Sequence, residues 1–317
     1  MVENCNKYHE LESSTKKKMN FNIEKIETFT GHKDCVYTLC EGNSLNSFFS
    51  AGGDGMVVEW AKADLGKPIA KVENSIYAMF NLPDENRLWI ANNTQGLHLI
   101  DTKEKKELLN LPLGKVSMFD IKKNNHLLII ADNIGFLHIL DTEINKFVKH
   151  FEGAQKSARS IAVNTKRNEM AVGFSDWKIR IYDLENYQLK YALDAHQNSV
   201  FSLQYINNEE MLVSGGRDAH LMIWDCQNGY ENTEIIPAHL FAINHIIYIE
   251  EHKILATSSM DKSIKIWDSE NLKLKKVIDK SKNASHGTSV NKLLWLEKEQ
   301  VLLSASDDRT ISMWNLF

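Results

Sequence analysis

Hydrophobic and polar positions along this chain fall into short alternating runs separated by turn residues. The last of them, LLSASDDRTISMWNLF over 302–317, is an apolar run, a serine–aspartate turn and an alternating run that ends in Trp314. The phrase occurs three more times upstream. FSAGGDGMVVEW supplies Ser50, Asp54 and Trp60, VSGGRDAHLMIW supplies Ser214, Asp218 and Trp224, and ATSSMDKSIKIW supplies Thr257, Asp261 and Trp267. In every copy, Ser304, Asp308 and Trp314 included, the hydroxyl leads the carboxylate by four residues and the indole by ten. A histidine stands 22 residues before each carboxylate: His32, His196, His239 and His286. A weaker copy, VGFSDWKIRIYD, keeps Asp176 but has Val172 at the hydroxyl position and Tyr182 at the tryptophan position.

The same register exposes two degenerate copies, in which Ile100 and Leu140 take the tryptophan position. Four residues after each histidine position stand Val36, Ile76, Val116, Ala158, Val200, Ile243 and Val290, apolar in all seven copies. Successive tryptophan positions (60, 100, 140, 182, 224, 267 and 314) lie 40, 40, 42, 42, 43 and 47 residues apart. A period of about 40–45 residues is that of a propeller array. Each unit carries β-branched and aromatic runs broken by Gly, Asp and Asn, which predicts about four short strands per unit.

On these residues, with the dipeptides Gly31–His32, Trp224–Asp225 and Trp267–Asp268, the chain resembles the WD-repeat family of β-propellers over roughly residues 22–317. The resemblance implies an all-β, seven-bladed propeller of four-stranded antiparallel blades. The last copy ends at its third strand, while NIEKIETFTGH precedes the first copy with a spare one. Since a bare edge strand is a liability that closure removes, residues 22–30 are expected to pair in the seventh blade. Residues 1–21 read as a disordered tail, and Met19 competes with Met1 as the start.

Net charge is −5 and charged residues make up 25% of the chain, so the basic footprint of a nucleic-acid binder is missing and nucleic acid is an unlikely partner. No apolar run reaches the length of a membrane helix, and no secretory signal is expected. Four cysteines without a CxxC pair read as reduced thiols in a cytoplasmic protein. Neither HxH nor HExxH spacing occurs among the 12 histidines, and no phosphate loop is present, so no metal or cofactor is expected. His98 and His138, 40 residues apart, read as ordinary strand residues.

Ser, His and Asp recurring together suggest a hydrolase triad. One active site needs one triad, however, and this set recurs four times, each time with a tryptophan. The resemblance implies buried structural tetrads instead: His32/Ser50/Asp54/Trp60, His196/Ser214/Asp218/Trp224, His239/Thr257/Asp261/Trp267 and His286/Ser304/Asp308/Trp314. In blades two and three, aliphatic packing is expected to replace the tetrad; a more pliable, partner-sensing sector is the alternative.

Partner binding is then expected on the top face, where the loop before the first strand of each blade and the turn between its second and third strands open. The resemblance places seven residues at the channel mouth: Tyr37, Tyr77, Ser117, Arg159, Phe201, Asn244 and Asn291. Trp177 and Arg217, in turns on the same face, join them as anchors. The long stretch DSENLKLKKVIDKSKNAS before His286 reads as a wider top-side loop. The functional expectation is a non-enzymatic scaffold for a protein or peptide, and one that could be a subunit of a larger complex. A propeller enzyme with a central site and an RNA- or DNA-associated subunit stand as alternatives.

Overall fold

The computed structural model describes residues 21–62 and 65–317. The tail expectation therefore lies outside the described residues, apart from Phe21, whose ring packs 5.5 Å from that of Phe317. Seven four-stranded antiparallel sheets are present. In each, an inner strand A is followed outward by B, C and D. In blade one these are Val36–Glu41, Ser47–Gly52, Met56–Ala61 and Lys67–Lys71. The remaining inner strands are Ile76–Leu82, Met118–Asn124, Ala158–Asn164, Val200–Ile206, Ile243–Ile249 and Val290–Leu296. Each packs beside the next, and the seventh returns to the first, so the sheets stand around one axis.

Closure occurs as the strand inventory predicts. Glu24–Thr30 pairs antiparallel with the final strand, Thr310–Asn315, in a register that sets Lys25 against Trp314 and Phe29 against Ile311. A bulge between Lys25 and Glu27 accommodates the twist. The outermost strand of the last blade thus comes from the other end of the propeller chain.

Apolar side chains do not form one central core; they gather in a cluster between each pair of neighbouring blades. Between blades seven and one, Phe29, Phe48 and Trp60 meet Leu303, Ile311 and Met313. Phe29 lies edge-on to Phe48 and Trp60, with ring centroids 5.1 and 5.6 Å away. Each large side chain buried this way stabilises the ring by about 1.5–3 kcal/mol. Because two neighbouring blades contribute to every cluster, a blade cannot bury its faces alone.

Hydrogen bonds reinforce the inner wall. The Asp120 carboxylate accepts the Ile161 N–H of the next blade at 2.8 Å. Ser160 accepts from Leu203 at 3.0 Å and Ser202 from Ile246 at 2.9 Å. His245 Nδ1 accepts from Leu293 at 3.3 Å. These four residues hold the same position, two beyond the start of strand A, so a polar side chain there stitches blade to blade.

Candidate functional site: the channel mouth

The four tetrads hold the top-face loops in place. In blade five, Nδ1 of His196 lies 2.9 Å from Asp218, its Nε2 lies 2.8 Å from the Ser214 hydroxyl, and the Trp224 indole N–H donates to the same hydroxyl at 3.0 Å. A carboxylate only accepts, so Nδ1 donates to it, and the serine hydroxyl, which accepts the indole N–H, has its own proton to give to Nε2. The corresponding indole bonds are 2.6 Å at Ser50, 3.0 Å at Thr257 and 2.9 Å at Ser304. Burial alone would raise the Asp218 carboxyl. The His196 hydrogen bond and the backbone N–H of Gln197 outweigh it and hold the group at about 2. Asp261 and Asp308 are likewise held well below the usual carboxylate range, by His239 and His286 against the effect of burial.

Blades two to four solve the same problem differently. In blade three Ile130 and Leu140, at the hydroxyl and tryptophan positions, are fully buried in an aliphatic cluster, and a polar row lies beside that packing. His138 places Nε2 3.0 Å from Asp132 and Nδ1 2.6 Å from Nδ1 of His150. His138 and Asp132 are buried, so this polar row adds a second link across strands B, C and D. Blade two uses Asn92, whose Oδ1 accepts from Thr94 and Gln95 at 2.8 and 3.1 Å, and His98, which bonds Glu107 at 3.0 Å. In blade four Arg180 clamps Asp176 at 2.7 and 3.1 Å, and the Tyr182 hydroxyl donates to the Gly153 carbonyl at 3.2 Å.

A channel of about 820 Å³ runs along the axis. Tyr37, Tyr77, Arg159, Phe201, Asn244 and Asn291 line it, as does Phe119 in place of Ser117. The displacement has a simple origin. The turn between strands A and B of blade three is only Asn125–His126, where most other blades use four residues, as in 165–168. A fixed count back from Leu140 therefore overshoots by two. Met118, not Val116, opens strand A and pairs with Asp132. Ser117 lies just outside the strand, where its N–H donates to Asn133 at 2.9 Å.

Five of the seven mouth residues form a continuous arc. The Tyr37 and Tyr77 rings are 4.8 Å apart, and Tyr77 and Phe119 are 5.6 Å apart. The Arg159 guanidinium lies 4.2 Å from the Phe119 ring and 5.7 Å from that of Phe201. Its Nε donates to Ser175 at 2.9 Å. Burial pulls the Arg159 pKa down, with Arg217 adding to the effect and Tyr77 opposing it. A guanidinium remains charged here all the same. The two asparagines serve the ring itself. Asn244 donates to Ser289 and to the Val290 carbonyl, both at 2.9 Å, and Asn291 donates to the Val36 carbonyl at 3.0 Å and to Asp307 at 2.7 Å.

Around the mouth, Arg217 is exposed in the B–C turn of blade five. Trp177, in the matching turn of blade four, is 55% exposed and has φ +75°. Blades one and three have Gly55 and Gly135 at that left-handed position. A bulky residue there costs about 1–2 kcal/mol. Leu240 (83% exposed), Phe241 (60%) and Met260 (57%) project from the adjoining loops of blade six. They were missed because they match no repeat position. Their signal is the triplet Leu240–Phe241–Ala242, where blade five has the polar Gln197–Asn198–Ser199. The wider loop before blade seven contains one helical turn, Lys280–Asn283, capped by Asp279, which accepts from Lys282 at 2.9 Å.

Among the described residues no His/Cys/Asp/Glu group has metal-binding geometry, and no helix is long and apolar enough to cross a membrane. Cys35, in the loop just before strand A of blade one, has its thiol pushed up to about 11 by burial and by Asp307, which suppresses the reactive thiolate.

The WD domain, G-beta repeat model matches residues 23–60, 187–225, 231–268 and 280–315. A striatin homolog of Dictyostelium discoideum is 23% identical over 251 residues, covering 67% of this chain and 30% of that protein. Human WD repeat-containing protein 36 is 24% identical over 215 residues, covering 64% of this chain and 24% of its own length. Protein TOPLESS of Arabidopsis thaliana is 26% identical over 129 residues, covering 40% of this chain and 11% of its own length. The chain thus spans about a third or less of the curated relatives it matches. With the repeat matched in four places and seven four-stranded blades closed by the first strand, this chain is a WD-repeat protein, a seven-bladed β-propeller.

Proposed function

We propose that this propeller is a non-enzymatic scaffold that holds a protein or peptide partner on its top face, over the mouth of the channel. The observation that carries the reading is the aromatic and cationic arc Tyr37–Tyr77–Phe119–Arg159–Phe201. Tyr and Arg in a partly desolvated ring are the residues that dominate interface energetics. Trp177, a large aromatic left 55% exposed in the B–C turn, supports the same face as an anchor. Leu240, Phe241 and Met260 extend the apolar area on one side. The free thiols Cys35, Cys40 and Cys226 support a reducing compartment, with the cytoplasm as the proposed location. The modest span of the relatives that the chain covers supports work alongside other domains or subunits.

The test is affinity capture from cell extract with wild type and a Tyr37→Ala/Arg159→Ala/Phe201→Ala variant, followed by mass spectrometry. Partners recovered by the wild type should be lost by the variant while its thermal melt stays cooperative. Equal recovery of every partner by both proteins refutes the top-face reading.

A further inference from the structure

Below the aromatic mouth, positive charge gathers on the channel wall. Lys122 from blade three, His245 from blade six and Lys292 from blade seven all line the channel, together with Asp120 and Cys40. They are close enough to act on one another's protonation. Burial first, then Lys292 and Lys122, push His245 well below its ordinary value. Burial, opposed by Asp120 and aided by Lys122, pulls the Lys292 amine down to about 8. His245 is held neutral from the backbone side as well, because its Nδ1 accepts the Leu293 N–H.

The one carboxylate in this cluster already accepts two backbone N–H groups. Asp120 accepts from Ile121 at 3.0 Å with one oxygen and from Ile161 at 2.8 Å with the other. Neither lysine has a hydrogen-bond or ion-pair partner among the described residues. Two ammonium groups thus share one carboxylate, which leaves the cluster with an excess of positive charge. Cations in a walled cleft of this kind focus a positive potential, and the desolvation they suffer is recovered only by a bound counter-charge.

The two ends of the channel differ in charge. Glu41, Glu250, Glu251 and Glu297 line the bottom, and burial with Glu297 and Glu299 raises the Glu41 pKa. Arg159 stands at the top. An anion is repelled at the bottom rim and drawn in past Arg159.

We propose that the channel interior binds a free multivalent phosphate, held between the Lys122 and Lys292 ammonium groups. An oxyanion with several equivalent oxygens can accept a charge-assisted hydrogen bond from each amine at once. The two binding lysines lie below the docking arc and are not part of it. A propeller that fails to capture a partner could still bind the anion.

Inorganic pyrophosphate is the probe, titrated calorimetrically into the full chain at pH 7 and moderate salt. Wild type and a Lys103→Met surface control should bind it saturably at one site. Lys122→Met/Lys292→Met should bind at least tenfold more weakly, a loss of about 1.4 kcal/mol. Without anion, the double variant should melt above wild type, because the repulsion between the two amines is gone. Sulfate, whose charge is constant in this range, should bind wild type more weakly at pH 9 than at pH 7 as Lys292 deprotonates among Cys40, Asp120, Lys122 and His245. That measurement needs no variant. No saturable binding by wild type, or equal affinity in the double variant, overturns the proposal.

Discussion

Replacing Ser214 by alanine tests the structural reading of the tetrads at its most connected atom. The Ser214 hydroxyl is fully buried and joins two partners, His196 Nε2 at 2.8 Å and the Trp224 indole N–H at 3.0 Å. Ser214→Ala leaves a buried acceptor and a buried donor unmatched, at about 1–3 kcal/mol for each. The combined loss is then roughly 2–6 kcal/mol. At about 2–4 °C per kcal/mol for a large domain, the melt should fall by several degrees. A second substitution separates lost hydrogen bonds from lost packing. Trp224→Phe removes the indole donor and also shrinks the cluster between blades four and five. In the Ser214→Ala background, the donor it removes is already orphaned. The double variant should therefore lose about 1–2 kcal/mol less than the sum of the singles. Urea unfolding of the four proteins, at matched m-values, measures the coupling. Additivity within about 0.5 kcal/mol would mean the indole and the hydroxyl do not depend on each other, and the network account would fail.

Three further outcomes follow from the geometry. Asp218 sits at about 2 in the fold against 3.8 for the ordinary group, and Asp261 and Asp308 are depressed in the same direction. Their stabilisation is fully present above about pH 5 and is lost progressively as pH falls through 3.8 toward 2, so denaturant midpoints should drop across that window, and a flat profile contradicts it. In blade three, burial and the neighbouring His138 lower the His150 pKa, so the unfolded chain binds more protons there and stability rises with pH up to about 6.5. Amide protection factors over 136–152, which remove the intrinsic slowing of exchange in acid, should fall on acidification from pH 7 to 5.5 more than in blade five, and His150→Phe should remove the difference. Phe29→Ala, which empties the contact with Phe48 and Trp60, should cost about 3–5 kcal/mol, and deleting residues 24–30 should abolish cooperative unfolding. A truncated chain with an unchanged melt would show that the ring does not need its closing strand.

The parts of this molecule that repeat were legible in the sequence, and the parts that do not repeat were not. Spacing placed Ser50, Ser214, Thr257 and Ser304 beside their histidines because a hydrogen-bonded tetrad tolerates no change in the chain length between its members. The closing strand was readable for a similar reason: one end of the array lacked a strand and the other had one to spare. Phe119 escaped because a hairpin can lose two residues, at Asn125–His126, without disturbing the strands on either side. The His138–His150 pair escaped because cross-strand partners depend on register, and His150 sits on strand D, outside the repeated phrase. Asn244 and Asn291 show the opposite failure: their position at the mouth was correctly placed, yet their amides are spent on neighbouring blades. The exposed Leu240, Phe241 and Met260 belong to loops whose length is fixed but whose side chains the fold leaves free.

The claim that matters most is that recognition takes place over the channel mouth. Hydrogen–deuterium exchange on this propeller, alone and with a captured partner, tests it directly. Slowed exchange confined to the top-side segments 36–38, 118–120, 158–160, 175–178, 200–202 and 239–242 is the outcome expected. Slowed exchange on the outer D strands or the bottom turns, with those segments unchanged, would place the partner elsewhere and leave the aromatic arc without a role.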